Sequence, residues 1–424
     1  MRQARLLPSR RDAVTTGLLA TAGAVLPVSR AAASSAVPGS GVVLQWYDLT
    51  LQAVAAANYP EPVTQSRAWA VSWLAAARAV GQGHGARYSV AAFASALHDV
   101  LAALVPGQQA ELNAALASTL AGVPDGTAKE SGIAAGQREA VAVLAQRGGD
   151  GLDTASVDIP FTPPPAAPGV WQPTPPAFGP AVRAGQGGAR PFLLASGSQF
   201  RLGPPPALGS ATYLGALAEV RAVGVATSSV RTPVQTDTAL FWEPNSINIF
   251  VQVLRSVVAD SAVASSAVAD ASRGLRWQAR LVAAFHVITI DAQIAIYDSK
   301  YAYLFWRPVT AIRTGSVATD PSWTPLFSTP RHPEYPSGHG GYAGAAELTL
   351  HALAGPRPVQ PISATSATDP GSVHTYRAWS TITQENIDGR VWEGIHFRFS
   401  DLRGVQLGRE VAAYSLSRLH KLGL

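Results

Sequence analysis

Thirteen of the chain's 32 prolines fall between Pro160 and Pro206. Proline fixes φ and gives up a backbone donor, so neither a helix nor a central strand can run through this stretch. The chain is thereby divided into a part before it, an extended connection and a part after it. Trp171, Phe178, Phe192 and Phe200 are interleaved with the prolines. A free linker carries fewer aromatics, so the segment reads as a strap laid onto the protein.

On both sides of the strap, apolar residues recur at three- and four-residue spacing, the period of a helix with one buried face. Before it the pattern runs from about 42 to 144 and includes Ser66–Val80 and Val90–Leu104. After it come Tyr213–Val225, Ser246–Val263, Trp277–Trp306, Gly340–Ala354, Thr375–Glu393 and Leu402–Leu419. Alternating apolar runs bounded by hairpin signals are scarce, and no internal repeat aligns. The predicted fold class is all-α. It comprises N-terminal helices over about 40–155, the Pro-rich strap over 156–210 and a second helical part over 211–424, one domain from residue 34 onward.

Charge belongs mostly to the N-terminus. Ser9-Arg10-Arg11-Asp12 precedes an Ala/Gly-rich apolar run from Ala13 to Val28, then Arg30 and Ala31-Ala32-Ala33. Twin arginines, a mild apolar region and an Ala-x-Ala site read as a Tat-type signal peptide over residues 1–33, and hence export to the periplasm or beyond. An Arg-rich, acid-poor transit peptide for organelle import is the alternative. The run is short and broken by Pro27, which argues against a stable membrane span. Residues 1–33 hold five arginines and one aspartate, so removing them takes the formal charge from +5 to +1. That leaves no basic surface for nucleic acid. The absence of cysteine excludes disulfides, thiolate metal sites and thiol nucleophiles.

The chemistry-bearing residues lie in three short C-terminal segments. Lysine is rare, three against 29 arginines, yet Lys300 stands seven residues before Arg307-Pro308. On one helix that spacing is two turns with a drift of about 20°, with Cα atoms roughly 10 Å apart. Pro308 favours an extended Arg307 and marks the end of the helix or a kink in it. Pro336-Ser337-Gly338-His339 precedes a small-residue helix: Ser337 is a favoured N-cap, Gly338 lets a ligand approach the backbone, and a helix N-terminus attracts oxyanions. Arg390 and His396 are six residues apart, so they share a ligand only if the helix ends between them, and Gly394 is placed to allow that. Three cations, a hydroxyl, a free N–H and two imidazoles suit a tetrahedral or trigonal-bipyramidal oxyanion such as phosphate or vanadate. There is no HExxH or His-x3-His pair for zinc.

Lys-x6-Arg-Pro, Pro-Ser-Gly-His and Arg-x5-His, in this order and with gaps of 27 and 50 residues, resemble the active-site signature of vanadium-dependent haloperoxidases and type 2 phosphatidic acid phosphatases. The likeness extends through Phe305–Arg313, His332-Pro333-Glu334-Tyr335 and Gly394–Phe399. The Trp171–Pro176 part of the strap resembles exported bacterial members. The resemblance implies two four-helix-bundle-like halves with the oxyanion in the second. It implies that Lys300, Arg307, Ser337, Gly338 and Arg390 hold the oxygens of vanadate, and that His396 bonds the metal. His339 would move protons on the opposite side. Hydrogen peroxide bound there would be polarised by Lys300 and attacked by halide, and the oxidised halogen would pass to a small organic acceptor.

Two other readings follow from the same residues. A soluble acid phosphatase would use His396 as nucleophile, His339 as acid and phosphate as the bound group. Phosphatase members carry an aspartate four residues after the nucleophilic histidine; here that position is Ser400, and Asp401 is one step on, about 100° around a helix. Glu334 and Arg398 flank motif residues. A non-catalytic oxyanion-binding protein is the third reading, and retention of both histidines argues against it. His332, seven residues before His339, stands where bromide-using members have His and chloride-using ones Phe, so the resemblance favours bromide. Oligomeric state, a homo-oligomer included, is left open by the sequence.

Overall fold

The computed structural model describes residues 40–266 and 271–424; the signal-peptide reading of residues 1–33 lies outside them. About 62% of the described residues are helical, and among them there are two short strands, in line with the all-α expectation. Five helices precede the strap: α1 (Ser40–Ala56), α2 (Pro62–Gly81), α3 (Ala86–Leu104), α4 (Gln109–Ala121) and α5 (Thr127–Gln146). A single turn, α6 (Thr154–Val157), leads into it, with Asp153 as N-cap accepting from Ser156 N. After the strap come α7 (Ala211–Val223), α8 (Pro233–Trp242), α9 (Ser246–Ser266), α10 (Ala271–Tyr303), α11 (Pro308–Thr314) and α12 (Gly338–Ala354). The strands β1 (Ile362–Thr365) and β2 (Val373–Tyr376) form an antiparallel pair with Ile362 opposite Tyr376. Then α13 (Trp379–Trp392) and α14 (Arg398–Leu416) close the chain.

The 33-residue helix α10 is the axis of the molecule. Its residues 274–303 are apolar and long enough to cross a bilayer, but 94% of the most apolar window is buried inside the protein. On one side it meets α2. The two run antiparallel, since Arg276 donates to Gly83 O, Trp69 stacks on His286 at 4.8 Å, and Gln293 donates to Ser66 Oγ. Trp46, Tyr47, Trp73 and Phe93 fill the space between the N-terminal helices, all buried. On the other side α10 meets α12 and α14, so both helical groups share it.

The strap is extended and anchored along α10. Asp291 accepts from the N–H groups of Phe192, Leu193 and Leu194, and Arg201 makes a two-pronged ion pair with Asp298. Trp171 is fully buried, and Phe192 and Phe200 pack against the core, but Phe178 is 63% exposed and is no anchor. At its start the strap pairs with the chain just before Arg307: Trp171 N donates to Leu304 O and Trp306 N to Gly169 O.

Two expected boundaries move. The helix carrying Lys300 stops at Tyr303, because Leu304 is left-handed (φ 47°) and Phe305 bridges to Val170 of the strap. Lys300 and Arg307 therefore do not share one helical face. Arg307 is extended, as its place before Pro308 requires, and stands as N-cap residue of α11. The expected helix from Thr375 begins only at Trp379, since Thr375 and Tyr376 belong to β2.

What brings the C-terminal segments together is a contact with almost no side chains. Gly340, Gly341 and Gly344 of α12 face Gly404 and Gly408 of α14. A β-carbon at Gly408 would lie 2.0 Å from Gly341 O, and one at Gly344 2.3 Å from Val405 O. Helices that approach so closely have no room for a methyl group. We expect Gly408→Val to cost about 3 kcal/mol or more and to lower the thermal midpoint by several degrees. Gly215→Ala in α7, where a β-carbon meets nothing within 4 Å, should leave the midpoint unchanged or raise it slightly.

Candidate active site

Ser337 caps α12 as the sequence predicts, with an extended backbone and its hydroxyl accepting from Gly340 N at 3.3 Å. Its own N–H donates to Ser400 O at 3.1 Å, which ties the start of α12 to the start of α14. Gly394, at φ 83°, ends the α13 helix between Arg390 and His396, so the two need not lie on one helical face. His396 then sits just ahead of α14, between the buried Ile395 and Phe397. Phe397 stacks on Phe399 at 5.3 Å, and Phe305 and Tyr213 close around them.

These elements surround a cavity of about 200 Å³ lined by Gly338, His339, Arg390, His396, His332 and Tyr297, among others. Lys300 and Arg307 are fully buried behind it. Lys300 Nζ donates to Pro333 O and Glu334 O, both at 2.9 Å. The Arg307 guanidinium donates to His332 O and Ile395 O at 2.9 Å, to His396 Nε2 at 3.2 Å and to His332 Nδ1 at 3.1 Å. Arg390 donates to Trp242 O and to Glu393 Oε1, while its Nε is buried without a partner. His339 Nε2 lies 2.9 Å from Pro244 O. Gly338, His339, Arg390, His396 and His332 thus line one cavity, Arg307 reaches it through its bonds to His332 and His396, and Lys300 and Ser337 lie outside the lining.

The tautomer of His396 follows from its partners. Nδ1 lies 2.8 Å from Glu334 Oε1, and that oxygen also accepts Phe397 N at 3.0 Å, so it is an acceptor and Nδ1 carries the proton. At the other ring nitrogen, a guanidinium can only donate, which leaves Nε2 a lone pair. For His339 the carbonyl of Pro244 can only accept, so its proton sits on Nε2 and Nδ1 is the open acceptor.

Burial governs the electrostatics. It pulls His396, His339 and His332 well below the usual imidazole range, and neighbouring cations reinforce this, so all three are neutral near pH 7. Burial, then Arg307, pulls Lys300 well down, against Glu334 and Asp401. Burial likewise lowers Arg307 to about 10, opposed by Glu334. The carboxyls behind the cations are pushed up by the same burial, Glu334 to about 7 and Glu393 and Asp401 to about 8. Such a cluster of cations and hard-to-ionise acids is short of negative charge, and an oxyanion in the cavity would meet that need.

Room for the guest is visible at Gly338. It lines the cavity, and a β-carbon added there meets no atom within 4 Å. The first N–H groups of α12 have no acceptor within the helix. With the unpartnered Arg390 Nε and the Nε2 lone pair of His396, this donor set fits vanadate as well as phosphate.

Three contributors were not assigned from the sequence. Asp401 does not serve His396: both its oxygens are buried without a hydrogen-bond partner, beside Ser337, and Glu334 makes the contact instead. Arg183 enters from the strap, donates to Tyr297 OH at 2.8 Å, pairs with Glu61 and lines the cavity. Glu393 partners Arg390, a spacing of one helical turn that could have been read.

Residues 280–422 match a family described as the second helical-bundle domain of VCPO. The vanadium chloroperoxidase of Curvularia inaequalis is 30% identical over 182 residues, which is 36% of this chain and 29% of that protein. Among solved structures, a bacterial vanadium-dependent iodoperoxidase is similar with a TM-score of 0.72 at 22% identity, covering 91% of this chain and 97% of that one. A bacterial vanadium-dependent chloroperoxidase in its holo form gives 0.63 at 18% identity, covering 86% of this chain and 93% of that one. Its apo form gives 0.64 at 19%, covering 86% and 95%. The C-terminal part of the chain thus matches the VCPO second helical-bundle domain, and the chain shares the helical fold of these bacterial vanadium-dependent haloperoxidase structures.

Proposed function

We propose that this protein is a vanadate-dependent haloperoxidase that oxidises a halide, bromide by preference, with hydrogen peroxide. The observation that carries the reading is His396. It is neutral, its proton is held on Nδ1, and Nε2 presents a lone pair amid buried cations. Lys300, Arg307, Arg390, the Ser337 hydroxyl and the Gly338 N–H are the groups to hold the oxygens, and His396 Nε2 is the group to bond the metal. Vanadate, when bound, supplies a Lewis acid that activates hydrogen peroxide towards halide without itself changing oxidation state.

The chain's own residues do the rest. The buried cations offset the guest's charge in a site that water screens poorly. His339, with its proton fixed on Nε2 by Pro244 O, offers Nδ1 to take a proton from a reactant in the cavity. His332 lines the same cavity beside Tyr297, whose ring centroid lies 5.2 Å away. An imidazole there, rather than a phenyl group, is what favours bromide in this reading. The oxidised halogen is handed to a small organic acceptor.

One observation favours a second reading. A carboxylate-held imidazole with its lone pair on Nε2 is also what a phosphohistidine-forming acid phosphatase needs. The two are separated by assaying purified protein with and without orthovanadate, comparing bromination of a cyclic dione by peroxide with hydrolysis of an aryl phosphate. We expect bromination that requires vanadate and is inhibited by phosphate, and its loss in His396→Ala with the thermal midpoint retained. Hydrolysis without vanadate, blocked when vanadate is added, would establish the phosphatase instead; inactivity in both assays would leave a binding protein. Gly338→Ala should weaken orthophosphate binding by about tenfold, roughly 1.4 kcal/mol, with no loss of thermal stability, as read by titration calorimetry and melting.

A further inference from the structure

We propose that Glu334 is the positioning residue of this site, fixing His396 so that Nε2 faces the oxyanion as an acceptor, in the role that Ser400 cannot play. The imidazole alone does not choose between its two tautomers, and only the one with the proton on Nδ1 leaves Nε2 able to bind a metal. In this chain the carboxylate that holds the Nδ1 proton comes from the segment before the Ser337 cap, not from α14, and Arg307 donating to Nε2 favours the same tautomer.

Glu334 is built to hold that position. It is fully buried, and its backbone is pinned at both ends: N donates to Phe305 O at 2.9 Å, and O accepts from Lys300 Nζ at 2.9 Å and Ser400 Oγ at 3.3 Å. Its Oε1 reaches the imidazole at 2.8 Å and Phe397 N at 3.0 Å, so one oxygen fixes both the ring of His396 and the backbone just after it. Ser400, which occupies the place of the usual aspartate, turns its hydroxyl to the Glu334 carbonyl instead. Asp401 makes no hydrogen bond to the ring. Glu334 lies three residues before Ser337, so one short loop supplies an oxyanion-binding hydroxyl, a backbone anchor for Lys300 and the partner of His396. Carboxylates that accept from the far nitrogen of a metal-binding histidine typically matter by 10–100-fold in metal affinity.

A structural role alone is the competing account, since Glu334 also satisfies Phe397 N–H. Vanadate and orthophosphate separate the two. Vanadate binding includes a bond to His396, on the function proposed above, whereas phosphate in its resting complex uses only the surrounding donors. In Glu334→Ala we expect vanadate affinity to fall by about tenfold or more, with orthophosphate affinity changed by less than about threefold. Glu334→Gln keeps an acceptor oxygen for both N–H groups and should recover most of that loss. It also serves if the alanine variant does not fold. Parallel weakening of both oxyanions, or unchanged vanadate affinity, would overturn the proposal.

A second readout does not depend on vanadate. In ¹⁵N spectra of histidine-labelled protein, with the His396 signal identified by its absence in His396→Ala, wild type and Glu334→Gln should show the Nδ1–H tautomer. Because Arg307 still donates to Nε2, Glu334→Ala should keep the Nδ1–H proton but shift its signal away from the hydrogen-bonded position, and an unchanged Nδ1–H signal there would overturn the assignment. If wild-type protein shows no preference for vanadate over phosphate, it is the haloperoxidase reading that fails. The spectra then still decide the role of Glu334.

Discussion

Two helices stripped of side chains at their crossing hold this site together. With Gly340, Gly341 and Gly344 on α12 against Gly404 and Gly408 on α14, backbone meets backbone, and the two N-terminal ends converge. Ser337 N–H reaching Ser400 O is the direct expression of that convergence. The cap of one helix and the histidine ahead of the other are thereby forced to face one cavity, although 59 residues of sequence separate Ser337 from His396. Every later feature, from the free N–H groups to the orientation of Nε2, inherits its place from this contact.

The cavity is also an electrostatic compromise. Burying Lys300 and Arg307 completely is costly unless each donor finds an acceptor and the charge finds a counterpart. Backbone carbonyls of residues 332, 333, 334 and 395 absorb the donors. Glu334, Glu393 and Asp401 are near at hand, but burial resists their ionisation. The arrangement has most to gain from a guest that brings its own negative charge. Arg183 and the strap complete the wall, so the segment that ties the helical groups along α10 also shapes the cavity.

Much of this was legible beforehand. Proline clustering revealed the strap because its effect on φ is local. The cap at Ser337, the extended Arg307 before Pro308 and the helix end at Gly394 were readable for the same reason. Of the motif residues, Gly338, His339, Arg390 and His396 line the cavity. What escaped was non-local. Nothing in the periodicity of Trp277–Trp306 reveals that Leu304 turns left-handed so that Phe305 can pair with Val170 of the strap, 135 residues earlier. Thr375 and Tyr376 left the helical pattern because a strand partner at Ile362 and Ser363 captured them. Spacing put Ser400 where an aspartate was expected and left Asp401 one step out of register, while the acid that reaches His396 comes from another segment. The signal for Glu334 was present, a carboxylate among apolar and proline residues three places before Ser337, but only the fold shows what it faces.

The most direct test is a crystal structure of the protein soaked with orthovanadate, with vanadium located by its anomalous scattering. The account predicts one site, with the metal bonded to His396 Nε2 and its oxygens within hydrogen-bond reach of Lys300, Arg307, Arg390 and Ser337. Vanadium bound elsewhere, or held in the cavity with His396 turned away, would contradict it.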